Sequence, residues 1–194
     1  MIPQIKHNKL TSNEQFIFNK KNLPLNVLDF WKWSASDLLT NRQRGILAEF
    51  IVASSLNLTN KPREEWDEYD LITHEGIKIE VKSASYIQSW EQEEYSKINF
   101  GIQPTIKWNG NQRTNEKVRQ SDVYIFCLLA HKDYKTINPL DLSQWEFYIL
   151  TTDVLNKKVP KQKTISLSSL LSLSPKKVTY QDIRTSFNYN HHKK

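Results

Sequence analysis

The chain has 194 residues, 38% of them hydrophobic and 11% aromatic, with a formal charge of +6, which suits one globular domain with an anionic partner such as nucleic acid. Only four glycines are present and no GxGxxG or GxxxxGK(S/T) pattern occurs, so a phosphate-cradling loop and a nucleotide cofactor are not expected. The longest apolar run, Val123 to Ala130, is too short to span a bilayer and encloses the single Cys127, which predicts a cytoplasmic protein with no membrane partner and no disulfide framework.

Residues 1–40 read as an N-terminal arm and a short helix. In it "FIF" at 16–18 suits a short strand or anchor, and Pro24 opens a stretch with Val27, Leu28 and Trp31 near helical spacing. Asn41 then serves as the N-cap of an amphipathic helix running to about Leu56, with Ile46, Leu47, Phe50, Ile51 and Ser54 as its apolar stripe. Glu49 falls beside that stripe, where an ordinary boundary glutamate reaching out to solvent is the plain alternative to a functional one. "DEYDLIT" and "IKIEVKSA" read as strands joined by "HEG". After them come a polar, aromatic-studded insertion from Gln88 to Gln120 in which "KINFGIQ" suits a strand, a strand at 122–130 apolar enough to be covered on both faces, and "WEFYILTT". "TISLSSLLSLSPKK" predicts a short strand and helix with Ser168 as cap, and Thr179 with Asp182 predicts the cap of a last helix. A single domain over 41–187 and a basic tail at 188–194 complete the division. This order predicts an α/β fold with a mixed central sheet flanked by helices.

The chemistry concentrates in "DLITHEGIKIEVKS", residues 70–83. Alternation places Glu80 and Lys82 on one face of their strand and Ile79 and Val81 on the other. A three-residue loop ending in a left-handed Gly76 sets Thr73 opposite Ile77 and Asp70 opposite Glu80, within the roughly 4.5–5.5 Å that separates paired Cβ atoms. A two-residue loop of Glu75 and Gly76 would set Asp70 against Val81 and part the two carboxylates. Paired carboxylates stay ionised together when a cation lies between them, and oxygen ligands suit Mg²⁺ or Mn²⁺. Plain solvent-facing charge on an edge hairpin is the competing reading, and His74 is most simply a turn residue.

The succession of helix, Asp, Glu-x-Lys hairpin and apolar strand over residues 41–152 resembles the PD-(D/E)XK nuclease superfamily, and the stretch after Glu80 is similar to a bacterial group within it. "GILAEF" looks like the family's helix motif with Glu49, "YDLIT" like the segment with its metal-binding Asp70, and "IEVKS" like that with Glu80 and Lys82; Tyr69 stands where the family has proline. The resemblance implies a restriction-endonuclease-like core and a Mg²⁺-dependent endonuclease acting on DNA, in restriction or phage defence. An inactive nucleic-acid-binding member of the same fold, and a repair or RNA endonuclease, are the alternatives. It implies a metal held by Asp70, Glu80, the Val81 carbonyl and Glu49, with Lys82 positioning water or offsetting charge. Cutting both strands of a duplex calls for two active sites and so favours a homodimer. Arg42, Arg44, Lys107, Arg113, Lys117 and Arg119 are the expected phosphate contacts. Trp90, Tyr95, Phe100 and Trp108 are available either to stack on bases or to pack the insertion.

Overall fold

All seven side chains of Val123–Leu129 are buried, and a strand of that kind needs cover on both faces. The computed structural model that supplies the cover describes residues 8–64, 68–109 and 112–186, the side chains of 107–109 and 112–116 excepted. In chain order its elements are β1 (Gln15–Phe18), β2 (Lys21–Asn26), α1 (Val27–Ala35), α2 (Asn41–Ser55), β3 (Leu71–Ile72), β4 (Lys78–Ser85), β5 (Asn99–Gly101), β6 (Thr105–Asn109), β7 (Gln112–Val118), β8 (Val123–Leu129), β9 (Trp145–Thr151), α3 (Thr152–Lys158), β10 (Thr164–Ser166), α4 (Leu167–Ser172) and β11 (Lys176–Val178).

The central sheet is mixed, with strand order β11-β9-β8-β4-β3. Only β4 and β8 run parallel, Glu80 beside Tyr124 and Lys82 beside Phe126; the other three pairings are antiparallel. Alternation along β8 divides the interior in two. Val123, Ile125, Cys127 and Leu129 join Ile79, Val81 and the helix residues Ala48, Ile51 and Val52 in one core. Tyr124, Phe126 and Leu128 join Phe100, Ile102, Leu155, Ile165 and Leu170 in the other. Glu80 and Lys82 share the second face, beside Tyr124 and Phe126 of that core.

The helix of Glu49 forms over nearly the predicted range, but its buried face is rotated from the predicted stripe. Arg44, Ala48, Ile51, Val52 and Ala53 are buried and Phe50 is exposed, because the small Ala48, wholly covered, lets the helix lie close against the sheet. Thr40, not Asn41, is its N-cap, with its hydroxyl accepting from the Gln43 N–H at 3.3 Å. Asn41 instead accepts from Arg44.

The N-terminal region is more ordered than an arm. β1 and β2 pair as a hairpin, with Phe18 opposite Lys21 and both intervening residues at positive φ, Asn19 at 48° and Lys20 at 63°, the combination that matches the twist of a two-residue hairpin. Pro24 falls within β2, so α1 begins at Val27, after an Asn26–Asp29 capping box. In the insertion β5 pairs with β10 from far along the chain, and β6 pairs with β7. Ser166, not Ser168, caps α4, and the last predicted helix begins as a 3₁₀ turn at Tyr180–Asp182. Among the described residues no helix is long and apolar enough to cross a membrane. The predicted basic tail at 188–194 lies outside the described residues.

Candidate active site

Gly76 fixes the geometry from which the site is built. Its φ of 83° is open to glycine at little cost, and it lets the Gly76 N–H donate to the Thr73 carbonyl at 3.0 Å while the Thr73 N–H donates to Ile77 at 3.0 Å. Leu71 then lies opposite Ile79 and Ile72 opposite Lys78, the register of a three-residue loop. β3 ends after two residues because Asp70 leaves the ladder: its N–H still donates to the Ile79 carbonyl at 3.1 Å, but its side chain turns in and Oδ2 accepts from the Val81 N–H at 2.7 Å. The Asp70 carboxylate is thereby held against the strand that carries Glu80.

The charges around it are coupled. Glu80 Oε1 lies 2.5 Å from the Lys82 ammonium, and Glu80 Oε2 accepts from the Ser121 hydroxyl at 3.1 Å. Burial and then the charge of Glu80 push the Asp70 carboxyl up to about 6, against the opposing pull of Lys82 and the Val81 N–H. For Lys82 burial works downward, yet the charge and hydrogen bond of Glu80, with Asp70 and Glu49 behind it, outweigh it and hold the ammonium above its ordinary range. Tyr124 is held up by burial and by Glu80, with Arg119 acting the other way. The Cys127 thiol is buried and raised, mainly by burial, which leaves it inert in the core.

Glu49 approaches the group from α2, and its charge is felt at both Asp70 and Lys82. Its carboxylate is already engaged by the Arg63 guanidinium, Nε to Oε2 and Nη2 to Oε1 at 2.9 Å, a partner the sequence pattern did not single out. Among the described residues no group of three or more His, Cys, Asp and Glu side chains is gathered to hold a metal ion, so the expected set with Glu49 alongside Asp70 and Glu80 is not assembled. The Asp70–Glu80 pair alone still fits a hard divalent cation. Two mutually repelling carboxylates, one of them pushed toward its protonated form, are relieved by such an ion, and Mg²⁺ characteristically takes one or two carboxylates together with substrate phosphate.

Asp70 and Glu80 open into a cleft of about 300 Å³ lined also by Tyr69, Thr105, Arg119 and Tyr124. Tyr69, at the position where the resemblance leads one to expect proline, has the Lys78 ammonium 5.0 Å from its ring centroid. Ser121 and Tyr124 were not singled out from the sequence. The usable signal was the apolar strand itself, since a parallel neighbour in register with β4 brings residues 121–124 alongside Glu80.

The expected phosphate contacts divide. Arg42 and Lys117 are exposed, and the side chains of Lys107 and Arg113 lie outside the described residues. Arg44 and Arg119 are 4% and 8% exposed, and both require correction. Arg44 donates to the Leu39 carbonyl at 2.8 Å, to Gln88 Oε1 at 3.0 Å and to Asn41 Oδ1 at 2.6 Å. Arg119 donates to Ile102 at 2.8 Å, to Asn156 Oδ1 at 2.7 Å, to Val159 at 3.0 Å and to Gln162 at 3.3 Å. Their guanidinium donors serve backbone and amide groups inside the fold. Of the aromatic candidates, Phe100 is core, Trp90 and Tyr95 are exposed, and the Trp108 side chain lies outside the described residues.

A family model described as bacteriophage T4 endonuclease IV matches residues 8–169, a span that contains α2, the Asp70–Lys82 hairpin, the cleft and β10. Comparison with curated proteins and with solved structures found no match.

Proposed function

The chain belongs to the bacteriophage T4 endonuclease IV family, and from that premise we propose that it is a metal-dependent endonuclease hydrolysing DNA phosphodiester bonds at the Asp70–Glu80–Lys82 cleft. The observation that carries the reading is the pairing of Glu80 with Lys82 and the coupling of both to the raised carboxyl of Asp70, with the two carboxylates lining one open cleft. Perturbed, mutually coupled titratable groups in a cleft mark functional sites. The order of helix, Asp and Glu-x-Lys hairpin beside a buried strand supports assignment to the PD-(D/E)XK group.

Asp70, Glu80 and the Val81 carbonyl would hold Mg²⁺ or Mn²⁺, which when bound supplies a more acidic water and offsets charge on the phosphate. This chain's own residues do the rest. Ser121 fixes one oxygen of Glu80, so the carboxylate presents a set direction to the cleft. Lys82 stays protonated through the neutral range and can hold the attacking water by hydrogen bond or offset the charge of the pentacovalent phosphate. Glu49, tied to Arg63, contributes through its charge at a distance. Exposed Arg42 and Lys117 are available for the DNA backbone.

The test is cleavage of single-stranded and duplex DNA with Mg²⁺ or with EDTA. Asp70→Asn, Glu80→Gln and Lys82→Met are each expected to lower the rate by about a hundredfold or more, and EDTA to abolish it. Undiminished cleavage by Asp70→Asn would sink the assignment.

A further inference from the structure

Tyr124 lines the cleft with a polar end that the fold leaves without use. The residue is 4% exposed, and β8 sets it in register beside Glu80 on the parallel strand β4, where neighbouring strands lie roughly 4.8 Å apart. Its ring is steadied by Phe126, stacked on it with centroids 5.7 Å apart and planes 23° from parallel. Among the described residues the Tyr124 hydroxyl has no hydrogen-bond partner. The side-chain atoms there that are both sealed and unpartnered are Arg44 Nε and Gln120 Oε1. The Tyr124 hydroxyl is not one of them, so it reaches open space, and the open space at this residue is the cleft.

Packing does not call for a hydroxyl at this position, since Phe100 and Phe126 fill the same core with rings that carry none. A phosphodiester, in contrast, presents acceptor oxygens and no donor, so a site for it must supply donors. Several groups near the acidic pair are already engaged. Arg119 serves acceptors inside the fold, the Lys82 ammonium is paired with Glu80 at 2.5 Å, and the Ser121 hydroxyl donates to Glu80 at 3.1 Å. The Gln120 amide donates to the Thr105 hydroxyl at 3.2 Å. Tyr69 brings a second phenol to the cleft, but its ring faces the Lys78 ammonium and it precedes β3, outside the sheet that aligns Tyr124 with Glu80.

We infer that Tyr124 is a further catalytic residue of this cleft, its hydroxyl donating a hydrogen bond to a non-bridging oxygen of the phosphodiester. The inference rests on the reading of the cleft as a nuclease site. A phenol is protonated at neutral pH and donates without bringing a charge of its own. Held by a buried ring, it is already in place as negative charge builds on the phosphoryl oxygens, so no reorganisation is needed at the moment of reaction.

The experiment compares the full-length wild type with Tyr124→Phe, which keeps the ring and its stack on Phe126. The melting temperature should match that of the wild type or exceed it, because the hydroxyl removed has no partner in the fold. With Ca²⁺ in place of Mg²⁺, affinity for a single-stranded oligonucleotide is expected to fall about fivefold, and with Mg²⁺ the kcat for its cleavage about thirtyfold, since a bond to phosphate strengthens as charge develops. In protein labelled with ¹³C at tyrosine Cζ, the resonance missing from Tyr124→Phe should shift when the oligonucleotide is added to the Ca²⁺-loaded chain. Wild-type affinity and rate in Tyr124→Phe overturn the inference. So does a resonance that the oligonucleotide leaves in place, or a lowered melting temperature, which would mark a structural hydroxyl. A wild type that cuts nothing refutes the nuclease reading instead, and the affinity and the resonance then decide by themselves whether the hydroxyl meets a phosphate.

Discussion

An ionised Asp70 works against its own fold, because burial and Glu80 raise its carboxyl to about 6 from a starting value near 3.8. Between those two values the folded chain binds more protons than the unfolded one, so stability falls as pH rises through the window. The loss is on the order of 2–3 kcal/mol and is complete above pH 6. Asp70→Asn removes the titration while an amide oxygen can still accept from Val81. In EDTA the variant is therefore expected to melt at about the wild-type temperature near pH 4 and above it at pH 8. Adding Mg²⁺ should raise the wild-type melting temperature at pH 8 and leave the variant unmoved; a wild type as stable as the variant at pH 8 without metal would refute this coupling. At this scale the sequence was readable where chemistry repeats by position, since alternation alone put Glu80 and Lys82 on one face. It was not readable for Ser121 and Arg63, whose roles depend on which side chains the fold brings alongside Glu80 and Glu49.

The hairpin and the helix before it differ in how much of each was legible. Gly76 announced a left-handed position, and the three-residue loop with its register follows from that one residue. Placing a methyl group there meets nothing within 4 Å, so Gly76→Ala tests the backbone alone. It is expected to cost about 1 kcal/mol, read as a melting temperature lowered by a few degrees with cleavage retained, and Gly76→Asn should cost less because Asn tolerates this region better. Loss of cleavage without loss of stability would mean that the loop acts on the site in some other way. The length of β3 was overread: "DEYDLIT" has a strand's composition, but composition does not show that Asp70 will trade the ladder for the Val81 N–H. α2 was found with its boundaries nearly right and its face turned, because hydropathy ranked Phe50 above Ala48 whereas close packing against a flat sheet favours the smaller residue.

For the molecule as a whole, the predicted mixed α/β sheet is present, while the internal use of two arginines was not visible. Basic residues in a polar insertion read equally well as phosphate contacts, and nothing local shows that the carbonyls of Ile102, Val159 and Gln162 will converge on Arg119. The two roles separate by measurement. Arg119→Met should destabilise the fold by on the order of 3 kcal/mol, since several buried acceptors lose their donor, and Arg119→Lys should rescue little because one ammonium cannot reproduce the fork. Thermal unfolding checks this: a phosphate contact would instead weaken DNA binding and its salt dependence with the melting temperature unchanged.

The same arginine has a consequence for biosynthesis. Its partners Asn156, Val159 and Gln162, and the strand β10 that pairs with β5, are translated long after Asp70, Glu80 and Lys82. During synthesis the acidic pair therefore leaves the ribosome well before the groups that hold Arg119 in the lining of its cleft.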